Sequence, residues 1–180
     1  PAYNPNNRTR PALAAMRNRA LTDLFEPGST MKPFAVAAAL EEGKFGPDTR
    51  VDTGNGRFAI GKSIIHDTHP TPFLSVAEVL QKSSNVGTAR MALSLTPQVF
   101  WNYLRLAGFG KETGCGFPGE ASGKLRSYQT WRPIEQATLS YGHGISVNLL
   151  QLARAYTVFA NDGELKPVSL LKQDTPARGI

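Results

Sequence analysis

Helical spacing of apolar residues, opened repeatedly by a hydroxyl side chain and closed by glycine, constrains this chain more than any other feature. Phe34 and Ala38 follow Ser29 at helical intervals, Glu41 or Glu42 ends the run, Pro33 falls in the first turn, and Gly43 supplies a stop. Ser75 precedes a Val76, Val79, Leu80 stripe, and "NVGTARMALSL" places Val86, Ala89 and Leu93 on one face. Thr96 with Pro97 opens a helix through Trp101 and Leu104 that stops near Gly108. "IEQATLSYG" gives another, and "SVNLLQLARAYTVFANDG" a last one with Leu149, Leu152, Ala153, Tyr156 and Phe159 on one side and Gly163 at its end. The fold class expected is α+β with helices dominant.

Strand signals are few. Gly54, Asn55 and Gly56 read as a hairpin turn between "RVDT" and "RFAIG", and "SIIHD" can add a short strand. Residues 109–132 read as a long glycine-rich loop. The opening "PAYNPNNRTRPA" is expected to be irregular and exposed, and "TPARGI" at the other end has neither cap nor core pattern. At 180 residues the chain can bury one proper core, and no internal repeat divides it.

Composition excludes more than it suggests. The net charge of +6, from 20 basic and 14 acidic residues, is scattered apart from Arg8, Arg10, Arg17 and Arg19. Without a basic stripe interleaved with aromatics, or a recognisable module, nucleic acid is not an expected partner. One cysteine, Cys115, cannot form an internal disulfide, and nothing near it in sequence would activate its thiol. The longest apolar run, "FAVAAAL", is far below the roughly 20 residues of a membrane span. His66, Asp67 and His69 lack the remaining ligands of a closed metal site, and the 114–119 glycines follow no strand of a βαβ unit. No metal or cofactor is expected.

Chemistry is suggested by "EPGSTMKP". Ser29 and Lys32 are three residues apart and share a helix face. A serine hydroxyl needs a base, and a lysine serves only where burial or a neighbouring cation lowers its pKa. A helix N-terminus adds free N–H groups for an oxyanion. The plainer reading makes Ser29 an N-cap and leaves Lys32 solvated. "QKSSNVG" shifts the balance: Ser83 and Asn85 form an S-x-N pattern at a second helix start, offering a hydroxyl to relay a proton and an amide to hold a carbonyl. For this pair, too, an N-cap role is the plain alternative.

These two motifs match the first two of the S-x-x-K, S-D-N and K-T-G set. Together with "NRALTDLFEPGSTMKPF", "LQKSSNVGTARMAL", "GFPGE" and "RPIEQATLSYGHGISVNLLQLARAYTVFANDG", they make the chain resemble class B penicillin-binding proteins, in particular the division-specific peptidoglycan transpeptidases of Gram-negative bacteria. The resemblance covers nearly the whole chain. It implies the helical part of the serine β-lactamase and transpeptidase-like fold, and a D,D-transpeptidase in which Ser29 attacks the D-Ala-D-Ala carbonyl of a stem peptide. Lys32 would then be the base, Ser83 the relay, and Asn85 a ligand for the substrate amide and for Lys32. The implied partners are the peptidoglycan stem peptide, β-lactams that acylate Ser29, and septal cell-wall synthesis proteins. The implied location is the periplasmic face of the bacterial inner membrane, with the anchor outside this chain.

The third motif is absent. Lys62 and Ser63 in "GKSIIHD" follow their glycine and precede the S-x-N motif, so the motif is not carried onto them. Residues 1–180 are therefore expected to be a partial transpeptidase domain lacking sheet strands, the third motif and an N-terminal anchor or domain. Loss of an oxyanion donor costs about 10²–10³ in rate, so the isolated piece is expected to be weak or inactive. "YGHG" departs from the family in carrying His143 where an aromatic is expected. Neither Glu120 nor Glu135 stands in the E-x-x-L-N setting of a class A β-lactamase, which implies a long-lived acyl-enzyme. The alternatives are a D,D-carboxypeptidase, which shares the S-x-x-K logic, and an inactive binding or scaffold module.

Overall fold

The computed structural model describes residue 6 and residues 16–172. The expectations for the N-terminal stretch, including Arg8 and Arg10, and for "TPARGI" fall on residues outside these, residue 6 excepted. In chain order the helices are α1 (Arg19–Thr22), α2 (Lys32–Glu41), α3 (Val76–Gln81), α4 (Asn85–Leu93), α5 (Pro97–Leu106), α6 (Pro133–Leu139) and α7 (Leu149–Tyr156). The strands are β1 (Arg50–Asp52), β2 (Arg57–Ile60), β3 (Ser63–His66) and β4 (Phe73–Ser75). The mainly helical α+β expectation holds.

Helix α2 is the axis of the structure. Its sequence, KPFAVAAALE, is rich in alanine, the strongest helix former, and its small side chains let neighbours approach on every side. One side places Phe34, Ala35 and Ala38 in a core with Phe100, Leu104, Phe109, Ile145, Val147 and Leu152. Phe34 meets Phe109 edge to face, with centroids 5.1 Å apart. The other side places Val36 and Ala39 against Val51, Leu74, Val76, Val79 and Met91. A helix apolar around its circumference belongs inside a domain, as this one is.

Helices α2, α3 and α5 end in the same way. The residue after the C-cap has positive φ and its N–H returns to the second-last helical carbonyl, while the following N–H reaches one carbonyl further back. Gly43 (φ 63) closes α2 through Leu40 O and Ala39 O, and Gly108 (φ 95) closes α5 through Arg105 O and Leu104 O. In α3 the position is held by Ser83 (φ 53), with Ser83 N–H donating to Leu80 O and Ser84 N–H to Val79 O.

Two expectations are corrected. The Gly54–Gly56 segment is not a hairpin joining the strands beside it: β1 pairs with β4 (Val51 opposite Leu74), and β2 pairs with β3 (Phe58 opposite Ile65). Residues 54–56 all have positive φ and form a 3-10 turn that carries the chain from one ribbon to the other. The tight hairpin is at Gly61-Lys62, where Gly61 (φ 59) supplies the left-handed position. In α7 the expected stripe is only partly inside: Leu152 and Ala155 are buried with Gln151, whereas Leu149, Tyr156 and Phe159 are exposed.

Buried amides hold the glycine-rich loop that sequence patterns left shapeless. Gln151 Nε2 donates to Lys111 O (2.6 Å) and Ser122 O (2.9 Å), and Asn148, the N-cap of α7, donates to Ala121 O (2.6 Å). Gln136 Nε2 donates to Ala92 O and Leu95 O, so a side chain of α6 satisfies carbonyls at the end of α4. Among the described residues no helix is long and apolar enough to cross a membrane.

Candidate active site

Ser29 is not the N-cap of an α-helix. It lies inside a 3-10 turn, Gly28–Met31, that runs directly into α2, of which Lys32 is the first residue. Gly28 opens the turn at φ 60, Thr30 Oγ1 donates to Pro27 O (2.7 Å), and Tyr156 Oη donates to Thr30 O (2.7 Å). The Gly28 N–H donates to Gly142 O at 3.3 Å, and a Cβ on Gly142 would lie 2.1 Å from Gly28 O. The turn is thus braced by α7 and by the 142–147 loop, while Ser29 itself is exposed and its hydroxyl makes no hydrogen bond to the described residues.

Lys32 is the opposite case. Only 2% of it is exposed, and its ammonium donates to Ser83 O (2.5 Å) and Ser83 Oγ (2.8 Å). Burial lowers its pKa from the ordinary lysine value to about 8, and the Asp67 carboxylate resists that shift. Removing an ammonium from water disfavours its charged form, and two oxygen acceptors from one residue do not restore a hydration shell. The result is an amine that can lose and take a proton near neutral pH, one helical turn from a serine.

The S-x-N segment reaches Lys32 because α3 ends at Ser83 in the left-handed conformation, which puts both oxygens of Ser83 within reach of the amine. Ser84, not Ser83, caps α4, accepting the Gly87 N–H at 2.8 Å. Asn85 does not bond Lys32: its Nδ2 donates to His66 O at 3.0 Å. Of the residues singled out from sequence, the structure joins Lys32 directly to Ser83 and tethers Asn85 to the end of β3.

Asp67 was missed as a site residue. Its Oδ2 accepts the Ser84 hydroxyl at 2.6 Å and its Oδ1 accepts the Val86 N–H at 3.0 Å, so one carboxylate holds the elbow between α3 and α4. The signal was its position just after β3 beside His66, which sequence reasoning weighed only as metal-ligand spacing. His66 contributes its carbonyl. The glutamates considered for water activation are engaged elsewhere: Glu120 accepts the Thr113 N–H at 2.8 Å, and hydrogen bonds from Arg126, then Arg132, hold Glu135 at about 2. Cys115 is buried, 3.5 Å from Glu120 Oε2.

The site is a buried lysine held on a serine of the S-x-N segment, one turn from a serine whose hydroxyl bonds none of the described residues. The model of the penicillin binding protein transpeptidase domain matches residues 1–178. The chain belongs to this family. It is 48% identical over 180 residues to the probable peptidoglycan D,D-transpeptidase PenA of Neisseria flavescens, covering 99% of this chain and 44% of that protein. It is 45% identical over 180 residues to the probable peptidoglycan D,D-transpeptidase PbpC of Pseudomonas aeruginosa, covering 100% and 32%. The apo structure of the transpeptidase domain of Burkholderia pseudomallei penicillin-binding protein 3 superposes with a TM-score of 0.89 at 49% identity, covering 92% of this chain and 51% of that one. The chain therefore spans less than half the length of the two curated relatives and about half of a solved transpeptidase domain.

Proposed function

We propose that the chain is the helical part of a peptidoglycan D,D-transpeptidase domain, carrying the nucleophile and the proton-transfer residues of serine acyl transfer. The observation that carries this reading is the buried Lys32, held on Ser83 and with its pKa lowered to about 8. Neutral Lys32 takes the Ser29 proton as Ser29 Oγ bonds to the penultimate D-Ala carbonyl carbon of a stem peptide. The tetrahedral intermediate collapses with cleavage of the C–N bond, and the proton passes through the Ser83 hydroxyl to the departing D-Ala amine. An amine from a neighbouring stem peptide then attacks the ester, giving the cross-link and returning the proton to Ser29. Asn85, at the rim of the same elbow, holds the substrate amide.

β-Lactams acylate Ser29 by the same route and remain attached, since Glu120 and Glu135 are committed to structural contacts. Septal cell-wall synthesis proteins are the proposed partners, and the periplasmic face of the inner membrane the proposed location. The test is intact mass before and after incubation with benzylpenicillin, with Ser29→Ala alongside. A single adduct of one penicillin, absent from the alanine variant, is the expected result. An adduct retained in the variant, or none in the full-length protein, would overturn the assignment.

A further inference from the structure

His143 has no evident partner in the sequence, and the structure gives it one. Two stretches, residues 25–28 and 142–147, run against each other beside the nucleophile. Phe25 and Val147 exchange backbone hydrogen bonds at 3.0 Å, and Gly28 N–H donates to Gly142 O. Between these ties the Glu26 carboxylate spans the gap: Oε1 accepts the Gly144 N–H at 2.9 Å and Oε2 lies 3.0 Å from His143 Nδ1. His143 packs edge to face on Tyr141, with ring centroids 5.6 Å apart. Lys124 and Arg126 line a small cavity of about 240 Å³ with Glu26, and Arg126 is paired with Glu135 at 2.6 Å.

We propose that Glu26 and His143 are positioning residues for Ser29, clamping its turn to the 142–147 loop more tightly when the imidazole is protonated. The inference rests on Ser29 being the acylated residue. Gly142 has no room for a side chain against Gly28, so any slack in the loop is passed to the turn carrying the nucleophile. The Gly144 N–H, and next the His143 ring, hold the Glu26 carboxyl below the usual carboxylate range, so it is an ionised acceptor facing the imidazole. Protonation turns the His143–Glu26 contact into a charge-assisted hydrogen bond. Its pH dependence runs opposite to that of Lys32, whose protonation slows acylation.

The experiment is the second-order rate of acylation by a fluorescent penicillin between about pH 5.5 and 8.5, in the full-length protein, for wild type, His143→Phe, Glu26→Gln and the double variant. Both side chains are exposed, so the wild-type to His143→Phe rate ratio is expected to rise only about two- to fivefold from about pH 8 to about pH 6. Glu26→Gln should lose the same pH-dependent part, and the double variant no more. Hydrogen exchange at the Gly28 and Gly144 amides should quicken in Glu26→Gln. Parallel pH profiles, or unchanged exchange at both amides, would overturn this inference alone. A wild type that no penicillin labels at any pH would overturn it together with the proposed function.

Discussion

Ser29 and Ser83 both stand at the mouth of a helix, yet the fold treats them in opposite ways. Ser29 sits in a 3-10 turn whose backbone is braced by Pro27, Gly142 and Tyr156, while the residue is exposed and its hydroxyl bonds none of the described residues. Ser83 occupies the left-handed closing position of α3, and its hydroxyl and carbonyl both serve Lys32. Glycine fills the same position at the ends of α2 and α5. The difference is the one expected if Ser29 is the proposed nucleophile, kept accessible on a braced turn, and Ser83 the proposed relay, fixed to the proposed base at the expense of backbone strain of order 1–3 kcal/mol.

The strongest way to break this contrast is to remove the base that joins the two serines. Lys32→Met should lower the penicillin acylation rate by about 10²–10⁴ while leaving Ser29 in place. Comparable rates in stopped-flow labelling would show that the two serines act independently.

Ser83→Gly separates strain from function. The left-handed position accepts glycine freely, worth about 1 kcal/mol, but the buried Lys32 ammonium loses an acceptor, so denaturant unfolding should change little. Acylation should nevertheless fall by about 10²-fold or more, because the relay hydroxyl is gone. A less stable variant with a normal rate would reverse the roles assigned here.

Asp67→Asn tests the anchor of the second region. An amide keeps one acceptor but loses the charge that receives the Ser84 hydroxyl and Val86 N–H, a change expected to cost about 1.5–3 kcal/mol. Acylation should slow because the α3–α4 elbow presents Ser83 to Lys32. The Ser29 turn, which Asp67 does not touch, should keep its amide-exchange protection.

The pH dependence sharpens the same comparison. Lys32 has its pKa lowered to about 8, so its neutral form grows, and acylation rises, as pH climbs toward and past that value. For stability, an unfolded lysine titrates near 10.4, so between about 8 and 10.4 the unfolded chain binds a proton that the folded chain does not. The burial penalty is therefore felt in full below about pH 8 and is relieved as pH rises through that window. Unfolding midpoints in Lys32→Met should lack this rise. Smallest is a control outside both regions: Thr96→Ala removes the cap on Val99 N–H and should cost about 1 kcal/mol without altering the acylation rate.

Much of the helical scaffold could be read in advance because its signals are local. Thr96 with Pro97, Ser75, and Gly43 and Gly108 act through their own backbone neighbours, and the structure uses each as a cap or a stop. The strand ribbons were misread because Gly54–Gly56 looks locally like a hairpin turn. Which strands pair there depends on the distant burial of Val51 and Leu74 beneath α2. Gln136 and Gln151 were passed over for a related reason: a polar residue in an apolar stripe shows its purpose only when the carbonyls it serves arrive from residues 92–122.

The sequence by itself determined most of the helices, several of their caps, the order of the two motifs and the family to which they belong, since each is written in residues close together along the chain. Tertiary structure alone decided that Lys32 is buried, that Ser83 rather than Ser29 is its hydrogen-bond partner, that Asp67 accepts from the α3–α4 elbow and that Glu26 meets His143 and Gly144. The physical reason is range. Desolvation of an amine and the meeting of Lys32 with Ser83, 51 residues apart, depend on which surfaces pack together, and no local pattern encodes that.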